Sequence, residues 1–365
     1  MKISYEDAFI QIKDKQPDKS HALIGFDAVV DYIMKVIKQR DENGNEILFS
    51  TIGEFGEYLC TKKGMSCGLQ LKTVTRKIGG NMAIMAQAMS KIGIQTSCIG
   101  TIGEEHSDLY KALSEFCDVY SIAPYGNSTA LEFEDGKVML ADNSPLGITW
   151  NDIITNVGEQ KLENLLCNSK LLCLVNWSEL PNASEIWGTL FDFISKHNIG
   201  NIDTVFFDLA DISHRSSSEV KECISIIAKY NDCAKTVLGL NENEARILAN
   251  TYATPATSIN DIGKILQNKI QVSELIIHTN TAAYAFDAGG ECYESTAFIC
   301  KNPAVLTGGG DNFNAGYCLG ILMGLDIGCR LLLANALSGY YVRNGESVSF
   351  DKLKEFIGDN LYTNK

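Results

Sequence analysis

Val305–Gly324 reads VLTGGGDNFNAGYCLGILMG, in which three consecutive glycines precede one acidic residue and an apolar run. The apolar run predicts a helix, and a loop without Cβ atoms lets a ligand approach the backbone where that helix begins. Unpaired N–H groups and the positive end of the helix dipole favour anions at this position. The amides of Gly308, Gly309 and Gly310 could therefore surround a phosphoryl group, with Asp311 placed to accept a proton from an attacking hydroxyl.

A flexible loop capped by Asp311 explains the same residues equally well, because aspartate is a common N-cap. Other phosphate-binding signatures are missing from the sequence. It has no GxxxxGK[ST], no GxGxxG after the first strand candidate and no Asp-Phe-Gly. Taken alone, the glycine run leaves both interpretations open.

Short apolar segments alternate with amphipathic helical patterns along most of the chain. The strand candidates are HALIGF, TSCIGTIG, KLLCLVNW, DTVFFDLA, KTVLGLN and ELIIHT. Helical patterns such as GGNMAIMAQAMSKIG lie between them. Continuous apolar strands separated by helices predict an α/β fold with a parallel sheet covered on both faces.

Two segments interrupt this alternation. STALEFEDGKVMLAD has the pattern of a hairpin that turns at Asp135-Gly136, and the stretch from about Asp41 to Arg76 is polar and dotted with glycine. We expect one domain over residues 1–365, with a small β-rich lid formed by segments of about 41–76 and 125–142. AAYAFDAGGECYESTAF predicts another hairpin at the end of the main sheet.

Composition and charge limit the function classes. A formal net charge of −14 argues against nucleic acid or an anionic membrane as the main partner. The sequence has no signal-peptide pattern and no run near the roughly 18 apolar residues of a membrane helix. Its twelve cysteines are scattered without a CxxC pair, which indicates reduced core thiols of a cytoplasmic protein.

Three further stretches could bind a ligand. Gly79 and Gly80 precede Asn81 at the start of a predicted helix, and Asp27 follows the first strand candidate in LIGFDAVVD. A tight turn explains the glycines equally well, and a solvated turn is the commoner environment of an aspartate. In LNENEARIL, Asn241 and Glu244 either form a capping box or orient Mg²⁺ through water, and both can hold together.

The order of these motifs resembles the PfkB, or ribokinase-like, family of carbohydrate and nucleoside kinases. The resemblance runs from about His21 to the C-terminus, and TGGGDNFNAG and NENE are its most specific parts. It implies a three-layer α/β/α sandwich with a mostly parallel sheet and a lid. It also implies an ATP-dependent, Mg²⁺-requiring kinase that phosphorylates a hydroxymethyl group of a sugar or sugar derivative.

The resemblance assigns a role to each matching position. Asp311 would be the catalytic base, with the amides of Gly308, Gly309, Gly310 and Asp311 as an anion hole. The sugar would contact Asp27, Gly79, Gly80, Asn81 and Asn176. The nucleotide would contact Asn241, Glu244, Thr279 and Asn335, with Glu244 holding the metal through water. Relatives often pair through their lids, which implies a homodimer.

The chain departs from the family pattern at the acceptor and cation positions. Ile84 replaces an asparagine, and Asn176-Trp177 stands where ribokinases have a glutamate. Val305-Leu306-Thr307 lacks the aspartate of the monovalent-cation site, which argues against K⁺ activation. A nucleoside kinase, a phosphosugar kinase and a catalytically silent binding protein therefore stay as alternatives.

Overall fold

The computed structural model describes residues 5–17, 19–142, 146–253, 256–305 and 307–361. Its strands are β1 His21–Phe26, β2 Val29–Arg40, β3 Glu46–Leu48, β4 Gln70–Gly79, β5 Gln95–Gly100, β6 Asp118–Ser121, β7 Gly126–Phe133, β8 Gly136–Asp142, β9 Leu171–Leu174, β10 Thr204–Asp208, β11 Lys235–Asn241, β12 Glu274–His278, β13 Ala282–Asp287 and β14 Cys292–Thr296. Its helices are α1 Tyr5–Ile12, α2 Ile52–Thr61, α3 Asn81–Lys91, α4 Asp108–Ser114, α5 Trp150–Val157, α6 Glu159–Asn168, α7 Ala183–Lys196, α8 Ser217–Lys229, α9 Glu242–Thr251, α10 Ile259–Ile270, α11 Gly309–Leu322, α12 Ile327–Asn344 and α13 Phe350–Asn360.

The main sheet has the strand order β14-β13-β12-β11-β10-β9-β1-β5-β6. The pairs from β6 through β12 are parallel, and the β13–β14 hairpin adds two antiparallel strands at one edge. Successive strand residues point to opposite faces, so Ile24 of β1 packs in one apolar cluster and its neighbour Leu23 in another. The predicted α/β/α sandwich is confirmed, because both faces of the sheet are buried.

A second sheet has the order β3-β2-β7-β8, with β4 also paired to β2. The β7–β8 hairpin turns at the expected Asp135-Gly136, and the segment 41–76 contains helix α2 as well as strands. The sheet reaches beyond the two expected segments, because β2 begins at Val29 and β4 ends at Gly79. The lid is therefore continuous with β1 at one side and with α3 at the other.

The composition led to expectations about membrane-spanning helices and about the cysteines. None of the helices in the described residues combines the length and apolar composition that crossing a bilayer requires. All twelve cysteines are free thiols. Cys60 and Cys67 are exposed, so the expectation of core positions is wrong for these two.

Candidate active site

Two helices at the carboxyl edge of the main sheet begin after a glycine. Gly80 precedes α3 with φ 87°, and Gly308 precedes α11 with φ 92°. These backbone angles favour glycine. A Cβ on Gly80 would lie 2.7 Å from Asp27 Oδ2, and one on Gly308 would lie 2.7 Å from the Tyr341 hydroxyl oxygen. Both positions therefore need glycine for conformation and for space.

The amides at the start of α3 are occupied by Asp27. The Asp27 carboxylate accepts hydrogen bonds from the backbone N–H groups of Asn81 at 2.8 Å and Met82 at 2.9 Å, and from the Asn176 side-chain amide at 2.7 Å. Its side chain is 0% exposed, and burial raises its pKa to about 6 although the hydrogen bonds lower it. Asp27 is thus a buried support of α3 and not a solvated turn residue.

The start of α11 has no such partner. Among the described residues no side-chain hydrogen bond caps α11, whereas Asn241 caps α9 and Asp326 caps α12. Gly309 and Gly310 line an adjacent cavity. An uncapped helix start beside a cavity has the unpaired N–H groups that favour an anion.

Several carboxylates surround this open helix start. Asp311 is 8% exposed, and its pKa is raised well above the ordinary value by burial and by the nearby charges of Asp208 and Asp27. Asp208 ends β10 and accepts hydrogen bonds from the Ala210 N–H at 2.8 Å and from the Asn314 amide at 2.7 Å. Burial raises the pKa of Asp208 as well.

Asn241 and Glu244 form the capping box that their spacing predicts. The Asn241 N–H donates to Glu244 Oε2 at 2.8 Å, and the Glu244 N–H donates to Asn241 Oδ1 at 2.9 Å. Burial and the charge of Asp208 raise the pKa of Glu244. A cation near these two carboxylates would relieve that repulsion, and oxygen donors suit Mg²⁺.

The described residues contain no group of three or more His, Cys, Asp or Glu side chains arranged to hold a metal. Mg²⁺ keeps several waters and is commonly held by one or two carboxylates together with substrate phosphates. Asp208 and Glu244 fit a metal held in that way, which is the mode expected for Glu244 from the sequence.

Two cavities lie on either side of the glycine loop. The lid cavity has a volume of about 560 Å³. It is lined by strands of the second sheet, by α3 and α12 and by the loop, through residues that include Asp31, Lys77, Ile84, Lys137, Thr307 and Tyr341. The α12 cavity, of about 930 Å³, is lined by residues that include Asn241, His278, Thr279, Gly309, Gly310 and Asn335. Pro303 lines both cavities, Thr307 lines the lid cavity, and Gly309 and Gly310 line the α12 cavity.

Asp31 is a carboxylate of the lid cavity that sequence reasoning missed. In the register of the second sheet, Asp31 of β2 lies opposite Lys77 of β4 and Ser128 of β7. Burial raises the pKa of Asp31, while the nearby Ser128 hydroxyl and the charges of Lys137 and Lys77 lower it. A Cβ on Gly79 would lie 2.5 Å from Asp31 Oδ2, so Gly79 makes room for this carboxylate.

Lys137 and Asp208 were also missed. The Lys137 ammonium donates to Thr307 Oγ1, which joins the lid hairpin to the glycine loop. A usable signal existed for Asp208, because it ends a predicted strand at the edge where ligands of such sheets bind. Lys137 follows the turn glycine of the predicted hairpin, and that position alone does not indicate which way the hairpin folds.

Two of the nucleotide candidates, Thr279 and Asn335, line the α12 cavity but already have structural partners. Thr279 Oγ1 accepts the Ala282 N–H at 3.0 Å and closes the β12–β13 turn. The Asn335 amide donates to the carbonyls of Ser295 at 3.1 Å and Thr296 at 3.2 Å. His278 also lines the cavity, and burial lowers its pKa to about 4, so its ring is neutral at physiological pH.

The atypical acceptor positions fall in different places. Ile84 lines the lid cavity, which makes that wall apolar. Asn176 is buried in the left-handed region at φ 59°, and its Oδ1 has no hydrogen-bond partner among the described residues. Trp177 is 1% exposed and packs against the Arg215 guanidinium, so it is a core residue and not a sugar platform. Leu306 lies outside the described residues.

A family model and a curated relative that match this chain are both described as ketohexokinases. A family model described as prokaryotic ketohexokinase matches residues 6–360. A ketohexokinase of Haloferax volcanii is 24% identical over 357 residues, which cover 94% of this chain and 92% of that protein.

Solved structures share the fold. Arabidopsis thaliana ribokinase, in complex with ribose and ATP, has a TM-score of 0.62 and 14% identity, with 94% of this chain and 99% of that chain covered. Sinorhizobium meliloti adenosine kinase has a TM-score of 0.63 and 15% identity, with 94% and 98% covered. Because the second is a nucleoside kinase, the fold alone does not identify the acceptor.

Proposed function

Because this chain belongs to the prokaryotic ketohexokinase family, it is a sugar kinase, and we propose that its acceptor is a ketohexose and that Asp311 is its general base. The ribokinase-like relationship expected from the motif order is confirmed. ATP is the phosphoryl donor in our proposal, which the ATP complex of the ribokinase supports.

One observation carries the mechanism: the glycine loop contributes Thr307 to the lid cavity and Gly309 and Gly310 to the α12 cavity. Phosphoryl transfer needs a donor and an acceptor that approach one phosphorus atom from opposite sides. The α12 cavity receives ATP, and the lid cavity receives the sugar. The amides of Gly309 and Gly310 then bind the oxygens of the phosphoryl group between them.

The chemical step follows from these positions. The sugar hydroxyl attacks the terminal phosphorus atom, Asp311 accepts the hydroxyl proton, and the bond to the ADP oxygen breaks. Lys137 brings a positive charge from the lid to the edge of the glycine loop, where it can balance charge on the phosphates. Closure of the lid excludes water and so limits ATP hydrolysis.

Asp208 and Glu244 would hold Mg²⁺ through water, and the ion would neutralise charge on the ATP phosphates. A monovalent cation is not part of the proposal, because neither Val305 nor Thr307 offers a carboxylate.

For the acceptor site we assign Asp31 to the sugar hydroxyls, and Asp27, Gly79, Gly80, Asn81 and Asn176 to the support of that site. Asp31 lines the cavity, whereas the Asp27 carboxylate is used by α3 and Asn176. A carboxylate that accepts two hydroxyl hydrogen bonds is a common means of holding a sugar.

The charges of the lid cavity favour an unphosphorylated sugar. Lys35, Lys77 and Lys137 are balanced by Asp31, Glu132 and Glu134. Arg76, the neighbour of Lys77 in sequence, pairs with Asp108 and stacks on Tyr32 instead of lining the cavity. A phosphosugar would require an excess of positive charge.

The activity can be tested by measuring ADP release with ATP, Mg²⁺ and a panel of D-fructose, ribose, fructose 6-phosphate and adenosine. We expect kcat/KM to be highest for the ketohexose. Higher values for adenosine or for the phosphosugar would contradict the acceptor proposal. Silence across the panel, with ligand binding retained, would instead favour a binding protein.

We also propose that the protein is cytoplasmic and that two copies form a homodimer through their lids. Edge strand β4 is almost wholly exposed and carries Leu71 and Val74, which are 45% and 51% exposed. Paired lids would cover these side chains. Light scattering should give a dimer mass for the wild type and a monomer mass for Val74→Asp, and a monomeric wild type would contradict the proposal.

A further inference from the structure

The carbonyl of Gly308 is held by two donors from one residue. The backbone N–H of Asn312 donates to it at 3.1 Å, as in an ordinary helical turn. The side-chain amide of Asn312 donates to the same oxygen at 2.9 Å. Neither Asn312 nor its contacts have a place in the mechanism above.

Asn312 is held in turn by a residue far along the chain. Its side chain is 0% exposed, and its Oδ1 accepts a hydrogen bond from the Ser347 hydroxyl at 2.7 Å. Ser347 is itself buried and lies in the short connection between α12 and α13. A buried chain of hydrogen bonds thus runs from Ser347 through Asn312 to Gly308.

This chain fixes the direction of an open amide. The carbonyl of Gly308 and the N–H of Gly309 belong to one planar peptide unit, so fixing the carbonyl fixes the N–H. Gly308 has no side chain and adopts a positive φ, a conformation in which glycine has many alternatives. Without the Asn312 amide, the Gly308–Gly309 peptide plane would lose its main side-chain restraint.

We propose that Asn312 and Ser347 are positioning residues that aim the Gly309 N–H at the transferred phosphoryl group. The proposal rests on the function proposed above, because it assigns that amide to the anion hole. Catalytic hydrogen bonds must be aligned before the reaction, since misaligned donors stabilise the transition state less. Ser347 therefore acts on the reaction only through Asn312.

Ser347→Ala tests the proposal, with Ser347→Thr as the conservative variant. Ser349→Ala is the matched control, because Ser349 is exposed, lies two residues away and makes no side-chain cap bond. We expect Ser347→Ala to lower kcat by about 10-fold or more while the KM values for ATP and sugar stay within about twofold. Ser347→Thr should restore most of kcat, and Ser349→Ala should match the wild type.

Two readouts separate positioning from a merely structural role. The affinity for ADP with aluminium fluoride and sugar, which imitates the transition state, should fall in Ser347→Ala as much as kcat falls. The affinity for ATP alone should not fall. Equal losses of both affinities, or unchanged kcat, would overturn the proposal.

A third readout does not depend on turnover. In protein labelled with ¹⁵N-glycine, the Gly309 amide signal should shift in Ser347→Ala, return in Ser347→Thr and stay in place in Ser349→Ala. A wild type without turnover on any acceptor contradicts the proposed function. An unchanged Gly309 signal in Ser347→Ala contradicts the positioning role, whatever the turnover.

Discussion

Asp311 is a carboxylate whose surroundings oppose its charge. It is buried near Asp208 and Asp27, so its pKa is well above the usual range in the free protein. A raised pKa makes a carboxylate a stronger base, which suits the acceptance of a hydroxyl proton.

Asp311→Asn should lower kcat by about 10²- to 10⁴-fold, because the base is lost. ATP affinity and the melting temperature should not fall, since the variant removes a buried charge that has like-charged neighbours. Steady-state kinetics, nucleotide titration and thermal unfolding check these expectations. Asp192→Asn, at an exposed position on α7, serves as the control. Near-normal turnover of Asp311→Asn would remove Asp311 as the base.

Asp31 allows a test of the acceptor site. Asp31→Asn should raise the KM for the sugar by about 10-fold or more, because a charged hydrogen-bond acceptor is lost. The KM for ATP should stay within about twofold. Initial rates over a grid of both substrates measure the two constants. If only the KM for ATP rose, Asp31 would belong to the nucleotide site instead.

At the scale of elements, α3 and α11 are alike in construction and different in occupancy. Both begin after a glycine with positive φ and without a side-chain cap of their own. The α3 amides are filled by Asp27, which follows β1, whereas no side chain among the described residues bonds to the Gly309 or Gly310 amide. One helix start is thus structural, and the other is available to a ligand.

Asp27→Ala should destabilise the protein by about 1–3 kcal/mol, because buried amides lose their acceptor. Chemical denaturation measures that loss as a lower midpoint. Asp31→Ala provides a comparison four residues away, since it removes a carboxylate that faces a cavity and caps no helix. A smaller loss for Asp27→Ala than for Asp31→Ala would contradict the role of Asp27 as the α3 cap.

Strands were predicted correctly from the sequence where they form continuous apolar runs. The strands from HALIGF to ELIIHT are continuous apolar runs, and they pair in parallel with one another in a sheet that is buried on both faces. β2 was not identified, because VVDYIMKVIKQR mixes charged and apolar residues at a sheet with one solvated face. β4 was missed for the same reason, and most of its residues are exposed.

At the scale of the whole molecule, the carboxyl edge of the sheet concentrates buried acids. The pKa of Glu244 is raised to about 9 in the folded protein, so the folded state binds more protons than the unfolded state near neutral pH. Stability therefore falls as pH rises through this range.

The melting temperature should be lower at pH 8 than at pH 7. In that window, carboxylates with lowered pKa values are ionised in both states. The buried His278 and the histidines of the unfolded state are largely neutral in this window, so they contribute little to the change of stability with pH. Glu244→Gln should reduce the fall of the melting temperature between pH 7 and pH 8, because it removes one of the repelling charges. A melting temperature that rises from pH 7 to pH 8 would contradict this account.

The sequence by itself predicted the layered fold, which the structure confirms, and it predicted an anion site at Gly308, Gly309 and Gly310 beside Asp311, which stays a prediction. These predictions depend on the periodicity of apolar residues and on the residue types at the start of a helix, and both are local properties of the sequence. Only the tertiary structure decided that Asp27 is a buried cap, that Asp31 and Lys137 face the lid cavity and that Ser347 reaches Gly308 through Asn312. Those contacts join residues far apart in sequence, and their geometry depends on how the lid and the C-terminal helices pack on the sheet.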